Sequence, residues 1–170
     1  PITAIDGPMY GETFAFKERN VAKLSPTGNV ESPYALSIIS DAMGAVDARL
    51  VHPGELNGIP AIFFADTNAA YALTSGGITC ISEPIGRDLR AITITADPGL
   101  LIWDPYQRVM FLQTSVAPAA QAGSYTSFTL DTAKVRWAGF TLGGAAGGWI
   151  LGTSLLGIDT VLGGSGAEIL

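Results

Sequence analysis

Charge is scarce in this chain. Only 14% of its 170 residues are Asp, Glu, Lys or Arg, against about a quarter in an average soluble domain. Lys17, Lys23 and Lys134 are its lysines, and the formal net charge is −6. Nucleic-acid affinity rests largely on Lys and Arg neutralising phosphates, so this balance argues against a nucleic-acid partner. Cys80 is the one cysteine and His52 the one histidine. A single thiol excludes an intramolecular disulfide framework. One His and one Cys do not close a tetrahedral zinc site without carboxylates, so no metal and no cofactor is expected. No basic region followed by an apolar run opens the sequence, so no signal peptide is expected either.

Apolar residues and glycine fill the space that charge leaves. The apolar share is 48%, and glycine takes 21 positions. A disordered chain would be polar and strongly charged, so a packed core is expected. The length suits one domain. One helix is expected at about 33–50. Ser32 would cap it, Pro33 would take its first position, and Leu36, Ile39, Met43 and Val46 recur at helical spacing. His52-Pro53-Gly54 would stop it. At that helix end His52 would meet the negative pole of the dipole.

Strand signals fill most of the remainder. They fall at Thr13–Lys17, Ile59–Ala65, Tyr71–Leu73, Ile78–Ile81, Arg90–Thr95, Leu100–Trp103, Arg108–Gln113, Ser124–Leu130 and Val135–Thr141. Pro60 makes its strand start late or lie at an edge. Ser75-Gly76-Gly77, Asp97-Pro98-Gly99 and Asp104-Pro105-Tyr106 read as turns. The expectation is a mostly β (α+β) chain: an antiparallel sandwich or barrel-like domain with one amphipathic helix and a Gly-rich apolar C-terminal arm. Residues 1–122 would form the body. Residues 123–170 would add terminal strands and the arm within the same domain, across an Ala-rich loop at Pro118–Gly123. No long-period repeat is evident.

The stretch from Ala138 to Ile158 holds 21 residues without a charge, seven of them glycine. Gly139, Gly143 and Gly147 are spaced by four, as are Gly144, Gly148 and Gly152. In a membrane helix this spacing would give close-packing stripes. The glycines disfavour a helix, and Asp159 and Glu168 follow where Lys or Arg would flank a span. A packed arm or set of short strands is the preferred reading, and a membrane partner is disfavoured.

Several residues carry chemical potential. The opening Pro1-Ile2-Thr3-Ala4-Ile5 resembles the first strand of the tautomerase family, which implies Pro1 as a base. Asp6-Gly7-Pro8 departs from that pattern by breaking the strand. Leu130-Asp131-Thr132-Ala133 resembles the aspartic-protease loop, which implies a pair of Asp residues sharing a proton. Asp-Thr recurs at Asp66-Thr67 and Asp159-Thr160, but the residue after it is Asn68, Ala133 or Val161 where that family carries Gly. Side-chain bonding to nearby backbone is the ordinary use of such a pair. Cys80 sits in an apolar strand pattern and reads as a small core residue. Gly143-Gly144 and Gly163-Gly164 precede no Gly-Lys-Ser/Thr, so no phosphate loop is expected. Trp103, Tyr106, Tyr125, Trp137 and Trp149 would serve either a core or a sugar-stacking platform. No residue therefore stands as catalytic, cofactor-binding or metal-ligating.

Elimination leaves a non-enzymatic structural or assembly protein. It would form symmetric homo-oligomers or coat a larger particle, with a virion or phage capsid or tail as the best instance. Its place would be a virion or a cytoplasmic assembly, beside other coat or tail subunits. The alternatives are a receptor- or carbohydrate-binding β-sandwich, a small enzyme using Pro1, and a membrane-associated protein using 138–158.

Overall fold

The structure, a computed structural model, describes residues 1–86, 100–113, 127–140, 148–153 and 159–164. Turn residues cut these segments into short antiparallel strands. The first sheet comprises β1 (Ala4–Met9), β2 (Glu12–Lys17), β3 (Asn20–Pro26) and β4 (Tyr34–Ser40). The second comprises β5 (Val51–Leu56), β6 (Ile59–Ala65), β7 (Ala70–Thr74) and β8 (Gly77–Cys80). The third comprises β9 (Leu100–Asp104), β10 (Val109–Gln113), β11 (Ser127–Asp131) and β12 (Arg136–Phe140). A hairpin of β13 (Gly148–Thr153) and β14 (Asp159–Gly164) comes last.

The chain is thus mostly β, and each four-stranded sheet keeps its strands in sequence order. First strands begin at residues 4, 51, 100 and 148, so one unit recurs about every 48 residues. The third sheet joins strands from both sides of residue 122, since β10 pairs with β11. The expected strand at Arg90–Thr95 and loop at Pro118–Gly123 lie outside the described residues.

Two turn designs make the first hairpins. Tyr10-Gly11 and Asn57-Gly58 each place both central residues at positive φ, 55° and 77° in one and 53° and 75° in the other. That left-handed pair matches the twist of the flanking strands. The third sheet uses a longer loop. There Asp104 Oδ1 accepts the backbone N–H of Tyr106 and Gln107, and Arg108 takes a φ of 54°. Pro60 falls inside β6, between two other strands. It causes no conflict with β7, whose pairing begins only at Ile62.

The helix expected at 33–50 does not form. Residues Tyr34–Ser40 are β4, paired with β3, and the only helical turn near them is a three-residue 3₁₀ turn at Ala48–Leu50. Tyr34, Ile38 and Ile39 favour strand, and the open edge of β3 supplies a partner. The supposed helical stripe is divided between elements. Leu36 points outward from the strand, Ile39 falls where the register shifts, and Met43 and Val46 lie in the connection to the second sheet. Ser32 and Pro33 close the β3–β4 loop instead, with Pro33 O accepting the Thr27 N–H at 2.9 Å. His52 therefore meets no helix dipole. It lies on β5, with Nδ1 2.7 Å from the Pro53 carbonyl oxygen.

The second sheet lies between the other two, and β6 shows how. Alternation sends Ile62 and Phe64 to one face and Ala61, Phe63 and Ala65 to the other. Ile62, Phe64, Tyr71 and Leu73 join Phe14, Phe16 and Val21 of the first sheet in one core. Phe63 and four alanines join Leu101, Met110, Leu112, Phe128 and Leu130 of the third sheet in another. Ala61, Ala65, Ala70 and Ala72 leave room there for Trp103 and Trp137. The layers also approach through their first strands, β1 beside β5 and β5 beside β9.

Gly54 on β5 permits that approach. A Cβ there would stand 2.6 Å from the Phe63 ring and 2.8 Å from Trp103. Gly54→Val is expected to destabilise the chain by about 1–3 kcal/mol through overpacking. Phe63→Ala is expected to cost about 3–5 kcal/mol through a cavity. Urea unfolding monitored by tryptophan fluorescence measures both, and a neutral Gly54→Val would contradict the close packing of β5 on β9.

Candidate interaction face

Register decides which side chains share a face. In the first sheet Ile5 pairs with Ala15, Ala15 with Ala22, and Ala22 with Ile38. In the second sheet Pro53 pairs with Ile62, Ile62 with Leu73, and Leu73 with Ile78. Ala15 stands four residues past Gly11, and Ile62 four past Gly58. The two rows are therefore equivalent positions of the repeat.

Their surroundings differ. In the second sheet's row Ile62 and Leu73 are covered by the first sheet, at 1% and 2% exposure, while Pro53 at its end is exposed. In the first sheet's row Ala15 and Ala22 are buried at 7%, and the two end members are exposed. Ile5 is 63% and Ile38 67% exposed, and Leu36, on the same side, is 66% exposed. Tyr34 follows them along β4 at 61%. Tyr34, Leu36, Ile38 and Ile5 thus form an exposed apolar strip on this side of the first sheet, and no charge run or turn signal marked it in the sequence.

A polar cleft of about 400 Å³ opens between the first and second sheets. Glu18 and Arg19 of the β2–β3 turn line it, with Asp41 from the connection and Asp66, Thr67 and Asn68 of the β6–β7 turn. Asp66 is engaged in folding. Its Oδ1 accepts the N–H of Asn68 at 2.7 Å and of Ala69 at 2.9 Å, and its Oδ2 accepts the Tyr71 hydroxyl at 3.1 Å. Among the described residues no group of three or more potential metal ligands gathers.

The other candidates are dispersed. Asp131 makes a turn of the same kind, its Oδ1 accepting the N–H of Ala133 and Lys134, both at 3.1 Å. The Asn57 N–H donates to the Thr132 carbonyl at 2.9 Å, which sets the Asp131 turn at the β5–β6 end of the second sheet. Asp66 closes the opposite end of β6, roughly 20 Å away by strand length. The two carboxylates are not placed to share a proton. Asp159 starts β14, and nothing of its side chain is described.

Pro1 is exposed, and β1 turns back into β2 with no helix between them. Cys80 is exposed at the end of β8, the outer strand of its sheet, and so is not the core residue expected. The described aromatic side chains do not share one platform. Tyr106 is 74% exposed in a turn. Trp103 and Trp137 pack on the core, and Trp137 Nε1–H donates to the Ile81 carbonyl at 2.6 Å. Tyr125 and Gly143-Gly144 lie outside the described residues. Residues 148–153 are strand, and among the described residues no helix is long and apolar enough to cross a membrane.

Electrostatics at these places serve the fold. The Lys23 ammonium, 2.9 Å from Glu12, holds that carboxyl below its usual range against the opposing effect of burial, and the Ser25 hydroxyl adds a hydrogen bond in the same direction. Arg49 does the same for Asp47, which also caps the 3₁₀ turn by accepting the Arg49 N–H. Burial pushes the Tyr71 hydroxyl well above its ordinary value, aided by the Asp66 charge and hydrogen bond. No protein-family model and no curated protein matches the sequence.

The raised Tyr71 hydroxyl gives a pH dependence with a defined sign. The unfolded chain releases this proton near pH ~10, while the folded chain holds it to higher pH. Stability is therefore fully present below about pH 10 and falls as pH rises from there toward the folded value. Tyr71→Phe is expected to flatten that alkaline slope and to cost about 1 kcal/mol at neutral pH by losing the hydrogen bond. Urea midpoints taken from about pH 8 to about pH 11 test this. An unchanged alkaline slope in the variant would assign the effect elsewhere.

Proposed function

We propose that this chain is a non-enzymatic structural module that self-associates into homo-oligomers or coats a larger particle. A virion component, such as a phage capsid or tail subunit, is the setting that fits best. The open face of the first sheet carries this reading. Ile5, Leu36 and Ile38 are each more than 60% exposed on one side of one sheet. Large contiguous apolar patches mark interaction sites on soluble proteins. Three isoleucine and leucine side chains gain about 1.5–3 kcal/mol each when buried. Scarce charge supports the same reading, since interface cores are depleted in charged residues.

Catalysis lacks comparable support. The acidic side chain best placed in the cleft, Asp66, has its oxygens occupied by backbone and Tyr71. His52 and Cys80 come from the first and last strands of one sheet and share no hydrogen bond with each other.

Light scattering of the purified chain is expected to show a mass that rises with concentration above the 17.6 kDa of one copy. The double variant Leu36→Glu, Ile38→Glu is expected to remain at that single-copy mass. Its stability should stay within about 0.5 kcal/mol of wild type, because both residues are exposed. A wild type that remains at 17.6 kDa at every concentration would refute self-association.

A further inference from the structure

We infer that β4 is a pairing edge, and that the strand it takes is β4 of a second copy, laid antiparallel about a two-fold axis at Leu36. This rests on the self-association proposed above and adds which backbone groups make it.

Hydrogen-bond alternation in the first sheet decides which way β4 points its backbone. Residues along an antiparallel strand bond alternately to one neighbour and to the other. The Thr27 N–H donates to the Pro33 carbonyl, so that pair bonds across the β3–β4 ladder. Counting back by twos, Ser25 with Ala35 and Lys23 with Ser37 bond in the same way. The pairs between them are Pro26 with Tyr34, Leu24 with Leu36 and Ala22 with Ile38. There Leu24 and Ala22 turn their backbone groups to β2. β4 is the last strand of its sheet, so Tyr34, Leu36 and Ile38 turn theirs outward, where no strand of the described residues lies.

The corresponding edges of the other sheets are guarded. β8 is only Gly77–Cys80, and β12 opens on Arg136. β4 runs from Tyr34 to Ser40 with no charge and no proline, and its tyrosine and isoleucines favour strand. Short or charged edges resist strand addition, and long uncharged ones invite it.

An outward row of N–H and C=O groups on extended backbone is recognised by another extended strand. β4 itself fits that row. An antiparallel strand centred on its own copy sets like against like, and β4 has no charge to repel its copy. Bonded pairs need both residues outward, so positions 34, 36 and 38 must meet one another. With the axis at Leu36, Leu36 faces the partner's Leu36 and Tyr34 faces the partner's Ile38, an aromatic against a β-branched side chain. Moving the axis to Ser37 sets Tyr34 against the partner's Ser40, which pairs inward with Val21. The contact is isologous and closes at two copies. It also gathers the exposed Tyr34, Leu36 and Ile38 side chains of both copies on one side of a continuous sheet.

Cysteine scanning of the full-length chain tests this in a Cys80→Ser background, which removes its one thiol. Leu36→Cys is expected to give a disulfide-linked dimer on mild oxidation. A bonded pair on the axis stands about 5.5 Å apart, Cα to Cα, within disulfide reach. Ile38→Cys alone is expected not to link, whereas a mixture of the Tyr34→Cys and Ile38→Cys variants is expected to link. Light scattering then compares Leu36→Pro, which deletes an outward N–H and no bond to β3, with Leu36→Ala, which keeps that N–H. The proline variant is expected to stay at single-copy mass, and the alanine variant to dimerise several-fold more weakly than wild type. A wild type that dimerises while Leu36→Cys does not link, or a Leu36→Pro that dimerises as well as Leu36→Ala, overturns the edge pairing while self-association stands.

Amide exchange on the wild type covers the case of a variant that fails to fold. The Leu36 N–H is expected to exchange fast in dilute solution and slowly in the dimer, and the Ser37 N–H slowly in both. Fast exchange of Leu36 in the dimer overturns the pairing. A chain that keeps single-copy mass with Leu36 already slow assigns the edge to another segment of the same chain, and overturns both the pairing and self-association.

Discussion

Burial of the second sheet on both faces is the constraint on which the rest of this structure depends. Phe63 and Phe64 are adjacent in the chain, both fully buried, and belong to different cores. A strand with one wet face cannot hold both. The first and third sheets must therefore be present for β6 to be stable, and their own compositions follow from it. The first meets large side chains and offers Phe14, Phe16 and Val21. The third meets alanines and fills the room they leave with Met110, Phe128 and the two tryptophans.

Polar side chains act mainly as fasteners at the ends of these sheets. Asp66, Asp104 and Asp131 each close a turn by accepting backbone N–H groups. Thr132 binds three turns together. Its carbonyl accepts from Asn57 in the second sheet, and its own N–H and hydroxyl donate to the Arg108 carbonyl in the third. Trp103 Nε1–H adds a long contact to the same hydroxyl at 3.4 Å. A buried threonine in this position satisfies groups that the close approach of the sheets would otherwise strand away from water.

Much of the strand pattern was legible because its turns carry their own chemistry. Ser75-Gly76-Gly77 and Asp104-Pro105-Tyr106 mark their hairpins without help from the rest of the chain. The segment after Ser32 misleads for a physical reason. Leu36, Ile39, Met43 and Val46 satisfy a helical period, while Leu36 and Ile38 also satisfy a strand period. The free edge of β3, a tertiary fact, decides between them.

The repeat was hidden for a related reason. Register is conserved between units while loop lengths vary, from a seven-residue β3–β4 connection to a two-residue β7–β8 turn. Phe16 and Phe63 occupy equivalent positions, but little sequence around them aligns. The exposure of Ile5 and Ile38 was illegible because both resemble any buried strand residues until the stacking of the sheets is known.

Pairing each strand with the next in sequence has a kinetic consequence. Except for β10 and β11, which are joined across residues 114–126, every ladder closes over a short loop, so little chain entropy is lost before the first hydrogen bonds form. Within a sheet, contacts are local, and only the stacking of one sheet on the next joins distant residues. Local contacts favour rapid folding. Such a chain is expected to gain order progressively from its N-terminal sheet, each new meander finding a template already in place. The second sheet cannot complete its burial until the third emerges, and that interval is when the alanine-lined face of β6 and β7 stands open to water.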